Sequence, residues 1–240
     1  MQWSLKYCTV IILFCYACSS LGSRQNTKQL ANDAFHADNR VTANEEISRN
    51  KKIAQQLDTI YLMDQKYRLL MMRETNIAKR NVLNIKMESA DSSNRIKVTE
   101  LITRYGWLSA GDIGERAEAT IWMVLQHAHL EMHQKYYPII KNAVAHGKAR
   151  DWQLAYLEDR IAIETGKPQK YGTQLLQDID GRYYLAPLYA PDSVNIYRYE
   201  VGLGSLTDYL AGFGIAWNLD SYKQELPKIR QLERGNSKKR

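Results

Sequence analysis

The chain has 240 residues, 45% of them hydrophobic and 25% charged, with a formal net charge of +7. That is enough for one domain with a sizeable core. All three cysteines (Cys8, Cys15, Cys18) lie near the N-terminus. This excludes a disulfide framework for the remainder, which must rely on hydrophobic burial.

In chain order, Lys6 precedes an apolar run from Cys8 to Ala17. The run is too short to cross a bilayer, which needs about 20 apolar residues, but it suits an export signal. Residues 1–22 are read as that signal and 23–44 as a polar tether. Ala17-Cys18-Ser19-Ser20 resembles a bacterial lipoprotein box with Cys18 as the lipidated residue, although Cys15 stands where an aliphatic residue is usual. Ser20-Leu21-Gly22 is the rival site for ordinary cleavage. Either route implies export: a periplasmic protein, an outer-membrane lipoprotein tethered through Cys18, or an extracellular protein.

A mainly α-helical single domain with one small β-hairpin is predicted over residues 45–215. From Glu45 to about Met72, apolar residues such as Ile53, Leu57, Ile60 and Met71 recur at three- and four-residue steps, the pattern of a long amphipathic helix. Asn76 to Met87 continues as helix, and Ser89 to Asn94 reads as a break with N-cap residues. A further helix carries Ile96, Val98, Leu101 and Ile102 and ends at Gly106. Asp112 and Glu115 have capping-box spacing ahead of the stripe Ala117, Ile121, Val124, Leu125 and Ala128. The next helix runs from near Met132 to His146, with Pro138 either in its first turn or kinking it. Trp152 to Glu164 follows.

Asp180-Gly181 between Gln174–Ile179 and Arg182–Leu185 is a hairpin signal. Short helices are expected at Val194–Val201 and Leu206–Ala211. Residues 216–240 read as a basic tail, rich in Lys228, Arg230, Arg234, Lys238, Lys239 and Arg240. With no recognisable nucleic-acid motif, a nucleic-acid partner is not expected.

One ordered set of residues is distinctive: Asp64-Gln65-x-x-Arg68, Gly106-Trp107, Gly114, Gln126-His127-Ala128, Asp159-Arg160, Gln169-x-Tyr171-Gly172-Thr173-Gln174, and Arg198 with Gly202-Leu203. It resembles a bacterial family catalogued as domain of unknown function 6624, over roughly Ile53 to Leu210. The resemblance implies a mainly helical fold shared with other, often exported, proteins. It implies no established activity. His129 stands where the resemblance leads one to expect an acidic residue.

The Gln126–Gln174 segment concentrates polar groups beside apolar helix faces, where each must find a partner on burial. His127 is the candidate general base, with Asp159, or alternatively Asp64, the candidate carboxylate to fix its tautomer. Arg160 suits a substrate carboxylate or phosphate. Gln126, Gln169, Tyr171, Thr173 and Gln174 offer donors and acceptors for a neutral polar ligand, a small molecule, glycan or peptide. They serve equally well to stitch the hairpin to the helices. Asp64, Gln65 and Arg68 are candidates for the opposite wall.

His129 and His133 have the four-residue spacing of a helical zinc pair, but nothing specifies a third ligand, so no metal and no cofactor is expected. Thr173 is the nearest nucleophile by motif, without the Gly-x-Ser-x-Gly elbow of a hydrolase. Tyr183, Tyr184, Tyr189, Tyr197 and Tyr199 suit either a contact surface or a core flank. Two functional readings stand: a module that binds a polar or anionic ligand, and a hydrolase-like enzyme with His127 as base.

Overall fold

The computed structural model describes residues 33–178 and 180–237. The export signal and Cys18 lie outside them. Helix α1 (Asp33–Arg73) begins within the stretch read as tether and pairs with α2 (Ile77–Tyr105) in an antiparallel hairpin. The turn is only Glu74-Thr75-Asn76. Asn76 caps α2 by accepting from the Lys79 N–H at 3.1 Å, and Arg80 donates to the Met71 and Glu74 carbonyls left open at the end of α1.

The break expected at Ser89–Asn94 does not occur. Ala90, Asn94, Val98 and Leu101–Ile102 form one buried stripe with helical spacing, and α2 runs through unbroken. Packing against α1 overrides the local preference of Ser, Asp and Asn for non-helical backbone. Asp91 is used in the tertiary structure instead, as the bidentate partner of Arg68 at 2.8–2.9 Å.

The expected Asp112–Glu115 capping box also moves. Asp112 accepts from the N–H and hydroxyl of Ser109 and so closes the first turn of a short helix, α3 (Ala110–Ile113). Gly114, at φ +89°, then turns the chain into α4 (Glu115–Gln126). In α4 every residue from Ala117 to Gln126 except Ala119 is buried. This stretch is buried nearly all round because the helix is central: α1, α2, α5 (Leu130–Ala145) and α6 (Asp151–Glu164) all pack on it. Pro138 falls mid-helix in α5, on its exposed side.

The predicted hairpin forms as β1 (Leu175–Gln177) and β2 (Tyr183–Leu185), antiparallel, with Leu176 opposite Tyr184. Helices α7 (Val194–Glu200) and α8 (Leu206–Ala211) follow. The stretch read as a basic tail contains α9 (Leu219–Ser237), whose Tyr222 and Ile229 are buried in the core, so the folded unit extends past residue 215. Two hydrophobic clusters result. One joins α1 to α6; the other joins the hairpin to α7, α8 and α9. Helix α6 belongs to both, with Leu157 in the first and Ile163 in the second.

Candidate functional site

The candidate residues separate into two networks. The first links α1, α2 and the end of α4. His127 is the first residue beyond α4, and its ring Nδ1 lies 3.0 Å from Asp64 Oδ1. A carboxylate only accepts, so the ring proton sits on Nδ1 and the Nε2 lone pair is left outward. Nε2 has no hydrogen-bond partner among the described residues, and the side chain retains 8% exposure. Asp64 is 1% exposed and accepts from Gln65 Nε2 at 2.9 Å, while Arg68 Nη1 lies 3.2 Å from its Oδ1. Burial alone would raise the Asp64 carboxyl, but the His127 ring and the Arg68 guanidinium together pull it below its ordinary 3.8. Arg68 in turn is fixed by Asp91 of α2.

The second network surrounds Asp159. It is fully buried, and its carboxylate accepts from the backbone N–H groups of Lys170, Tyr171 and Thr173 at 2.7–3.1 Å and from the Thr173 hydroxyl at 3.0 Å. Burial pushes this carboxyl up to about 6 against the pull of those donors. Gln169 is also fully buried. Its amide donates to the Gln174 and Ala186 carbonyls and accepts from the Gln174 N–H, closing the loop on itself. The Gln174 amide donates to Thr173 Oγ1 at 2.9 Å. Tyr171 gives its carbonyl to Arg198 and its hydroxyl to Glu158. Gly172 has φ +68°, and a Cβ there would lie 3.0 Å from Leu206 and 3.3 Å from Leu188. The Gln-x-Tyr-Gly-Thr-Gln string is thus a buried loop seated on one aspartate, with glycine favoured by the left-handed backbone and by the close Leu206 and Leu188 methyls.

Arg160 and Gln126 bridge α6 and α4: Arg160 Nε donates to Gln126 Oε1 at 3.2 Å. Both are buried, and Gln126 Nε2 has no partner among the described residues. The structure therefore gathers Gln126, Arg160, Asp159, Gln169, Tyr171, Thr173 and Gln174 along α6. It places His127, Asp64 and Arg68 in a separate network. The carboxylate on His127 is Asp64, not Asp159, whose oxygens are taken up by the loop. The Thr173 hydroxyl is likewise engaged, donating to Asp159.

The other histidines do not join His127. His129 is exposed at the start of α5. His133 is buried with Nδ1 2.7 Å from Glu164 and Nε2 2.9 Å from the Leu125 carbonyl, so both nitrogens face acceptors and the ring ties α5 to α4 and α6. Among the described residues no group of three or more His, Cys, Asp or Glu is placed to hold a metal ion.

Two participants escaped the reading of site residues. Asp91 belongs to the Ser89–Asn94 segment, whose residue types favour a helix break. Arg198, already conspicuous in the ordered motif set, proves to be a fully buried guanidinium; it donates to the Tyr171 and Gly204 carbonyls and lies over the Tyr209 ring at 5.0 Å. Of the tyrosines, Tyr184 is core while Tyr189 and Tyr199 are exposed.

No curated protein matches this chain, and no solved structure does. A family model does match, over residues 52–221, which takes in both networks and most of the helical unit. The chain belongs to that family, described as a family of unknown function (DUF6624).

Proposed function

We propose that the Asp64–His127 pair is the functional centre and that it works as a hydrolase-like general base. The observation that carries this is His127 Nδ1 held 3.0 Å from a buried carboxylate while Nε2 has no hydrogen-bond partner among the described residues. An imidazole so oriented takes a proton at Nε2 from a water that attacks a bound polar substrate, and Asp64 stabilises the imidazolium that forms. With Thr173 engaged by Asp159, a water rather than a side chain is the nucleophile in this scheme.

The test is turnover of generic ester and phosphoester probes by the purified chain, compared with His127→Gln and Asp64→Asn. Turnover lost in both variants while their circular dichroism is unchanged supports the proposal. Absent turnover in the natural chain, or turnover indifferent to His127, removes it.

A second reading, binding of a polar small molecule, glycan or peptide without chemistry, is favoured by the absence of a free nucleophile in the Asp159 loop. Export, with Cys18 as a lipid anchor, belongs to the same proposal. It rests on the Cys8–Ala17 run and the Ala17-Cys18-Ser19-Ser20 string. Labelling with a radioactive fatty acid, lost on Cys18→Ser, would separate lipidation from ordinary cleavage.

A further inference from the structure

We infer that the turn end of the α1–α2 hairpin is a docking surface for an anionic phospholipid bilayer. Between residues 66 and 86 six cations (Lys66, Arg68, Arg73, Lys79, Arg80, Lys86) face a single acid, Glu74. Arg68 and Arg80 are committed internally, to Asp91 and to the carbonyls at the end of α1. Glu74 is half-buried and accepts from the Asn76 N–H. What remains on the surface is Lys66, Arg73, Lys79 and Lys86, all exposed.

Interleaved with them are aliphatic side chains that the protein leaves uncovered: Leu69, Leu70, Met72 at 54%, Ile77 at 77%, Val82 and Ile85. Singly exposed apolar residues are ordinary, but a run of them on one projection is not. A shallow groove between the helix ends is lined by Leu70, Ala78, Val82 and Leu83 together with Arg73, Lys79 and the half-buried Glu74, whose carboxylate is engaged by the Asn76 N–H. Aliphatic groups among lysines match the boundary between acyl chains and phosphate headgroups, where the cations are drawn to anionic lipid. No helix among the described residues is long and apolar enough to cross a membrane, so the hairpin end lies on the bilayer. The same positive charge opposes pairing of two such ends from separate copies. The Arg68–Asp91 and Arg80 contacts hold the end rigid, so little ordering is required on docking.

The experiment is co-sedimentation of the full chain with phosphatidylcholine vesicles, with and without phosphatidylglycerol. It is repeated for Lys79→Glu/Lys86→Glu and Ile77→Asn/Ile85→Asn. All four positions are exposed, so circular dichroism and thermal midpoint should be unchanged. Selective binding to the anionic vesicles is expected, weakened about tenfold or more in each double variant. Equal affinity for both vesicle types, no binding to either, or variants that bind like the natural chain (as when the N-terminal segment alone does the binding) overturn it. So does tighter binding to duplex DNA than to the anionic vesicles, or self-association through the same positions.

Discussion

Asp64 and Asp159 are both buried aspartates, yet they face opposite ways in the chemistry of this protein. Asp64 is compensated by ionisable side chains: an arginine and a hydrogen-bonding histidine approach it, and the histidine Nε2 has no partner among the described residues. Asp159 is compensated by neutral dipoles, three backbone N–H groups and a hydroxyl, all supplied by the loop it supports. A carboxylate satisfied by backbone defines a conformation. One satisfied by an ionisable side chain that still reaches solvent leaves a reactive atom available. The two networks therefore divide fold from candidate function more cleanly than the motif set, which mixes them.

The comparison breaks first at Asp159. Replacing it with Ala orphans several buried donors at once, and each unsatisfied group costs about 1–3 kcal/mol. The expected loss is about 4 kcal/mol in urea unfolding, or failure to fold. Asp159→Asn keeps one acceptor oxygen and should lose about half as much. If Asp159→Ala instead unfolds like the natural chain, the loop is not seated on this carboxylate.

Much of this division was hidden in the sequence for physical reasons. Helix periodicity exposed α1, α4 and α6, and Asp180-Gly181 marked the hairpin, because those signals are local. The partner of His127 is 63 positions away on α1. No spacing rule selects Asp64 over Asp159 when both lie on helices of unknown packing. Ser89–Asn94 looked like a break because its residues favour caps. Only the Arg68–Asp91 pairing and the stripe through Ala90 and Asn94 show why helix wins. Helix α9 was obscured by its lysines and arginines, which lie beside the two residues, Tyr222 and Ile229, that anchor it. The Gln-x-Tyr-Gly-Thr-Gln string was visible as a motif, but a motif does not say whether its amides point at a ligand or at each other.

Acidity sharpens the comparison, because the two carboxyls are shifted in opposite directions. The Asp159 carboxyl is raised from 3.8 to about 6, so between those values the folded chain holds a proton that the unfolded chain has released. Stability from this group is full below about pH 4 and falls as pH rises through about 6, by about 3 kcal/mol at most. The Asp64 carboxyl is lowered, so its contribution is present above 3.8 and is lost as pH falls through the lowered value. Thermal midpoints measured from pH 3 to 7 should show Asp159→Asn flattening the decline between about pH 4 and 6. Asp64→Asn should flatten only the acid side, below about pH 4. The same change of profile in both variants would contradict the division.

Arg68→Lys tests whether Asp64 is held by a clamp or merely by charge. Lysine keeps the positive charge but cannot meet both Asp91 oxygens as the guanidinium does. A loss of about 1–2 kcal/mol is expected. Arg68→Lys/Asp91→Asn should lose little more than the single variant, because the two side chains share one interaction.

The smallest effect on stability and the largest on function should come from the same substitution, His127→Gln. Gln65 and Arg68 still compensate Asp64 when the ring is gone, and the glutamine amide can donate to the carboxylate. The expected cost is therefore about 1 kcal/mol or less in urea unfolding. The outward Nε2, however, has no substitute, since an amide does not take up a proton near neutrality. Hydrolysis of whichever probe the natural chain turns over should fall by about a hundredfold or more. A His127→Gln chain that is strongly destabilised, with activity per folded molecule unchanged, would make His127 a pin between α1 and α4 and nothing more. Folded protein with lost turnover is the outcome that distinguishes a positioned base from a structural pin, because only the base depends on Nε2, which makes no hydrogen bond among the described residues.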